Sequence, residues 1–208
     1  MKQFILAAVI LISGFATGQG KFEEGMGKAF ALWKEGKNTE ASDMFERVAA
    51  AEKASWLPNY YVALVNTTSS FGTKDKEKVN ALLTKAQNVL DVEMAKDPEN
   101  PEILIMQAMI YTGWVAFDPM TYGMLLSGKV IEAYDKAIAL APNNPRAVFG
   151  RAEYEMGGAK YFGTDTKPMC AQVDKAVALF ESFKPETPFS PKWGLDRALK
   201  TQQECKQQ

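Results

Sequence analysis

The sequence predicts an all-α protein, a stack of about four helical hairpins closed by a C-terminal helix. Apolar residues recur at helical spacing in nearly every segment after residue 21. Two proline and asparagine clusters, Asp97-Pro98-Glu99-Asn100-Pro101 and Ala141-Pro142-Asn143-Asn144-Pro145, each stop one helix and start another. Proline has no N–H to continue a ladder, yet it suits the first turn of a new helix. The second cluster is a near copy of the first, so the chain announces a repeat of two-helix units.

Taken in order, the first pair spans 22–53, with Met26, Ala29, Phe30 and Trp33 on one stripe and Ala41, Phe45 and Val48 on the next. Gly36 supplies the turn between them. The second pair, 57–97, restarts at Pro58. It carries Tyr60, Ala63 and Leu64, then Val79, Leu83, Ala86 and Leu90. The third, 101–141, has Leu104, Ala108 and Tyr111 followed by Val130, Tyr134 and Ala137. Between those stripes, residues 113–128 are far longer than a hairpin turn and read as an insertion that is functional or has structure of its own. The fourth pair, 145–184, carries Val148, Phe149, Ala152 and Met156, then Val173, Ala176, Val177 and Phe180. A capping helix over 190–206 is expected, with Ser190 as N-cap and Pro191 in its first turn.

Composition removes several function classes. The chain has 208 residues and is 47% hydrophobic, enough to bury a core in one domain or one short array. Its formal charge is −1, with both signs interleaved and no basic tract, so no nucleic-acid partner is expected. There is no histidine. That removes Ser-His-Asp and Cys-His nucleophile systems, His-bearing zinc sites and the commonest general base near neutral pH. The acids Glu23, Glu24, Asp75, Glu77, Asp118, Glu153, Glu155 and Asp165 form no recognised catalytic spacing. Gly157, Gly158 and Gly163 form no phosphate loop of known spacing. Two cysteines alone do not complete a zinc site. No catalytic residue, metal or cofactor is expected.

Residues 1–18 read as a secretory signal: Lys2, a short apolar run from Phe4 to Ile12, then Ala16-Thr17-Gly18 before a cut. Periplasmic or secreted location follows, with no further membrane span in the mature chain. In such an oxidising compartment a single pair of cysteines usually bonds, so Cys170 and Cys205 are expected to fasten the last helix onto the one before it.

The third unit's Leu104, Ala108, Tyr111, Val130, Tyr134, Ala137 and Pro142 resemble the tetratricopeptide (TPR) repeat. Ala29, Ala41, Phe45 and Val48 of the first unit follow the same pattern, as do Ala63, Val79, Leu83 and Ala86 of the second and Val148 and Ala152 of the fourth. Pro98 and Pro142 are separated by about ten residues more than the usual period, an excess the insertion accounts for.

The resemblance implies a right-handed hairpin stack whose first helices line a concave groove for a protein or peptide partner. By helix position that groove would present Met26, Phe30 and Trp33, then Tyr60 and Leu64, then Ile105 and Met109, and finally Arg146, Phe149 and Glu153. Glu153 beside Arg146 reads as an ion pair. The lysine and asparagine set with which chaperone-binding members clamp a carboxylate is missing. The insertion, with Trp114, Phe117, Met120, Tyr122 and Met124, either plugs this groove or meets a partner or a lipid surface. The chain is similar to small periplasmic TPR proteins of Gram-negative bacteria, which implies a non-catalytic interaction scaffold of the cell envelope. A carrier of an apolar small molecule in the same groove, and an enzyme with a carboxylate site, are the alternatives. Intact mass of the exported protein is expected to show a chain beginning near Gln19; retention of residues 1–18 would contradict the signal reading.

Overall fold

The computed structural model describes residues 20–207. The expected signal segment lies outside the described residues. Nine helices are found among them: α1 (20–34), α2 (Asn38–Ala51), α3 (Leu57–Ser70), α4 (Lys76–Lys96), α5 (Pro101–Phe117), α6 (Pro119–Leu140), α7 (Pro145–Phe162), α8 (Lys167–Ser182) and α9 (Leu195–Lys206). None of them is long and apolar enough to cross a membrane.

Asn-Pro pairs set the starts of the first helices in the third and fourth units. The Asn100 side chain accepts the Glu102 N–H at 3.0 Å, and Asn144 does the same for Arg146 at 3.0 Å, while the following prolines occupy N1. Each cap satisfies a donor that the helix itself leaves unpaired, worth about 1 kcal/mol. Asp75 serves α4 likewise, at 2.9 Å from the Glu77 N–H. Gly163, at φ +68°, ends α7 in the left-handed region.

The hairpins stack in sequence order. Consecutive first helices pack on one another, α3 on α5 and α5 on α7, whereas no comparable packing joins α4 to α6 or α6 to α8. A row of hairpins that touch more closely on one side must curve toward it, so the first helices line the concave face. Helix α5 sits at the centre, and its N-terminal half is buried all round. One apolar cluster spans α1 to α5, a second joins α5, α6 and α7, and a third joins α7, α8 and α9. Small residues permit the close approaches. A Cβ on Gly150 of α7 would stand 2.6 Å from the Tyr134 ring of α6.

One expectation takes a definite form and another is corrected. Residues 113–128 have structure of their own. They are extra turns of α5 and α6, which run to 17 and 22 residues and meet at one tight corner. Asp118 makes that corner by accepting the Thr121 N–H at 3.0 Å, with Pro119 at N1. This is the same stop-and-start chemistry as Asn100-Pro101, written with an aspartate. The capping helix begins at Leu195 rather than 190. Ser190 instead holds a turn with Thr187, and Gly194, at φ +113°, turns the chain into α9 where any side chain would meet Phe180.

The Cys170–Cys205 disulfide is present, with Cα atoms 5.8 Å apart, and it fastens α9 to α8. Arg197 and Glu204 of α9 also pair with Glu153 and Lys160 of α7. Those pairs are exposed and each contributes at most about 1 kcal/mol. The disulfide closes a loop of 35 residues, for which the chain-entropy model gives about 3–4 kcal/mol. Replacing both cysteines with serine is therefore expected to lower unfolding free energy in urea by about 3 kcal/mol. A loss under about 0.5 kcal/mol would show that α9 is held by its packing alone.

Candidate functional site

The concave face is occupied by the protein's own chain. Residues 183–194, which link α8 to α9, have no regular secondary structure and run back across the first helices as a strap. Its prolines, Pro185, Pro188 and Pro191, keep it from continuing either helix, and a turn from Thr187 to Ser190 bends it partway along. Three aromatic side chains pin it down.

Phe189 lies over α1, its ring stacked on Phe30 at 6.0 Å and edge-on to Phe22 at 5.8 Å. Its carbonyl accepts a hydrogen bond from Tyr61 Oη at 2.8 Å. Trp193 donates its indole N–H to Tyr60 Oη at 2.8 Å and packs against the clusters that contain α3 and α5. Phe183, at the exit of α8, receives the Arg146 guanidinium 4.5 Å above its ring, and Trp193 lies 6.0 Å from the same cation. Cation–π contacts of this kind are worth most where water is excluded.

Beneath the strap is a buried polar network. Arg146 Nε and Nη2 both bond Glu102, the shortest contact being 2.6 Å, and Asn144 donates to the same carboxylate at 2.6 Å. Tyr60 Oη reaches Glu102 at 3.4 Å. Arg146 and Glu102 each follow the proline of an Asn-Pro pair in consecutive units, 44 residues apart. Burial opposes the arginine's charge, but Glu102 outweighs it and holds the guanidinium protonated. Burial also pushes the Tyr60 phenol well up, with the Glu102 charge adding to it, so Tyr60 remains a donor and the indole of Trp193 finds a neutral oxygen. Arg146 Nη1 has no hydrogen-bond partner. The Phe183 and Trp193 rings lie against its guanidinium instead.

Of the residues expected to face a groove, Met26, Tyr60, Leu64, Ile105, Arg146 and Phe149 are buried in the described structure. Phe30, Trp33, Met109 and Glu153 are partly exposed. Phe30 is itself under the strap, and Glu153 pairs with Arg197, not with Arg146. Phe30, Tyr60 and Arg146 meet the strap, while Met26, Leu64, Ile105 and Phe149 lie in the core clusters between helices. Phe189 and Trp193 were not among the expected residues, since an irregular proline-punctuated stretch has no period to read. Their signal was three large aromatics in a segment with no helical face to bury them.

The insertion residues do not plug the groove. Trp114 and Tyr122 face each other across the extended hairpin at 5.1 Å, and Phe117 is partly covered. Met120 and Met124 stand 83% and 97% exposed. Met120 adjoins the end of α7, where Tyr161 Oη lies 3.8 Å from its Sδ and Tyr161 packs edge-on to Phe162, itself 77% exposed. Met124 and Leu125 are exposed on α6 beyond Met120 at the tip of the third hairpin, and Tyr161 and Phe162 at the tip of the fourth. Isolated exposed apolar residues are ordinary, whereas groups of them are where contact sites are generally found. Among the described residues no group of three His, Cys, Asp or Glu side chains is placed to hold a metal ion.

The fold has known counterparts. It is similar to the HusA haemophore from Porphyromonas gingivalis, with a TM-score of 0.78 and 21% identity over 89% of this chain and 93% of that one. It is also similar to a thermophilic TPR protein of Thermus thermophilus, with a TM-score of 0.57 and 11% identity over 90% of this chain and 100% of that one. No protein-family model matches the sequence, and no curated protein matches it. At these identities the likeness establishes the fold, a TPR-like all-α stack of four hairpins and a capping helix.

Removing one member of the buried ion pair strands the other. Glu102→Ala is expected to cost about 3–5 kcal/mol in urea unfolding, and Glu102→Leu combined with Arg146→Met to recover most of that loss. Additive losses in the double variant would show that the two groups act independently.

Proposed function

We propose that the protein is a non-catalytic carrier, working in an oxidising compartment outside the cytoplasm, that takes up an apolar planar molecule of the tetrapyrrole class at the tip of its third hairpin. The observation that carries this reading is the exposed surface of Met120, Met124, Leu125, Tyr161 and Phe162. Its side chains project from helix ends fixed by Asp118 and Gly163, so the surface needs no folding step to form. Methionine adapts to an irregular ligand outline, and aromatic rings offer flat faces to a flat molecule. Haem iron is ligated in proteins by tyrosine or methionine as well as by histidine. The chain has no histidine, but Tyr161 Oη and Met120 Sδ already converge. The likeness to a haemophore over nearly the whole of both chains supports the same ligand class. The expected signal segment and the disulfide support the location.

The reading as an envelope scaffold, with a partner segment in the concave groove, has one observation in its favour. That groove accommodates a non-helical polypeptide segment, residues 183–194 of its own chain.

Titration of the mature protein with hemin is expected to shift the Soret band and saturate in the micromolar range. Met120→Glu with Phe162→Glu should weaken binding at least ~10-fold with helicity unchanged, and Tyr161→Phe should alter the Soret position. Absence of a spectral change, or binding indifferent to these substitutions, would contradict the carrier reading.

A further inference from the structure

We propose that residues 183–194 are a resident substitute ligand, and that the concave face admits a non-helical partner segment with two aromatic side chains four residues apart only when this strap leaves. The proposal rests on the groove reading above and not on the carrier surface. Three features of the strap separate it from an ordinary connector.

First, it binds as a guest peptide would. It has no helix or strand of its own and bends once, at Thr187–Ser190; it buries Pro191, and it gives one backbone carbonyl and one side-chain donor to two adjacent tyrosines of α3. Tyr60 and Tyr61 point their hydroxyls at the strap, and nothing in helix packing alone requires two neighbouring phenols to do so. Second, its anchors are separable from the stack. Phe189 and Trp193 touch the inner face, while Lys184, Glu186, Thr187, Pro188 and Lys192 are at least partly exposed, so the strap can lift without opening a hairpin. Third, its ends stay tethered. Cys170–Cys205 holds α9 on α8, so a displaced strap remains beside the groove and competes for it at an effective concentration on the order of millimolar. That competition sets a threshold, which a partner must beat with better-placed aromatic contacts. The surface exposed by lifting, Phe22, Phe30, Tyr60, Tyr61 and Arg146, has the aromatic faces, phenol hydroxyls and single cation to which the strap is now fitted.

The test uses the full mature protein in its oxidised form, with a fluorescein-labelled synthetic peptide of residues 183–195 as the probe. The variant Phe189→Ser with Trp193→Ser, checked for unchanged helicity, should bind this peptide at least ~10-fold more tightly than the natural sequence does. A control peptide with serine at both aromatic positions should bind neither protein. Should the double variant lose helicity, Phe189→Ser alone decides, because that ring is not fully buried, and it should tighten binding at least ~3-fold. Equal peptide affinity for natural and variant proteins would overturn the proposal, as would equal affinity for the aromatic and serine peptides. Hemin binding to the double variant reads the other surface separately, so loss of one reading leaves the other standing.

Discussion

The Arg146 guanidinium, buried under the strap and bonded to Glu102, ties together parts of the chain that are far apart in sequence. It links α7 to α5 through a charged hydrogen-bonded pair, and through Glu102 it reaches Tyr60 on α3. Its other faces receive Phe183 and Trp193 from the strap. A buried charge is costly unless paired, and the pairing here demands that consecutive Asn-Pro corners stand in one register. Hairpin stacking is otherwise driven by apolar contact, which tolerates sliding. The ion pair is a directional constraint on an interface that lacks one, and it places a cation where the strap's aromatics need it.

From this constraint the molecule divides into a closed side and an open end. On the closed side the inner surface of the array is covered by the protein's own irregular segment, whose Phe189 carbonyl and Trp193 indole are satisfied by the Tyr61 and Tyr60 phenols. At the open end, the extra turns of α5 and α6 carry exposed methionines and a leucine, and Met120 among them meets Tyr161 at the end of α7. Lengthening a hairpin is an inexpensive way to create such a surface. Each added turn satisfies its own backbone hydrogen bonds, and Asp118 caps the new corner.

Much of the architecture was legible in the residues. The helix stripes, the proline stops and the cysteine pair followed from period, from ring chemistry and from compartment. Two things were not. Residues 113–128 stood out as an insertion without a readable form, because glycines at 113, 123 and 128 and a run of mixed apolar residues hide the helical face; aspartate before proline at 118–119 was the overlooked signal of a helix start. The strap had no periodic signature, since an irregular chain among prolines is positioned by distant partners, and Tyr61 and Phe189 are 128 residues apart in sequence. Contacts of that range leave composition as their one trace, here the three aromatics between Phe183 and Trp193. Helix position alone pointed to Phe30, Tyr60 and Arg146, which meet the strap, but not to the strap itself.

Both the closed side and its proposed opening depend on the strap lying in the groove in solution, and the indole N–H of Trp193 reports on it directly. Followed by NMR hydrogen exchange in the oxidised protein, that proton is expected to be strongly protected, and Tyr60→Phe, which removes its acceptor, should speed its exchange at least ~10-fold while the core amides of α5 stay protected. Exchange at the rate of a free indole in the natural protein, with the helices still protected, would show the groove to be open and would contradict the account.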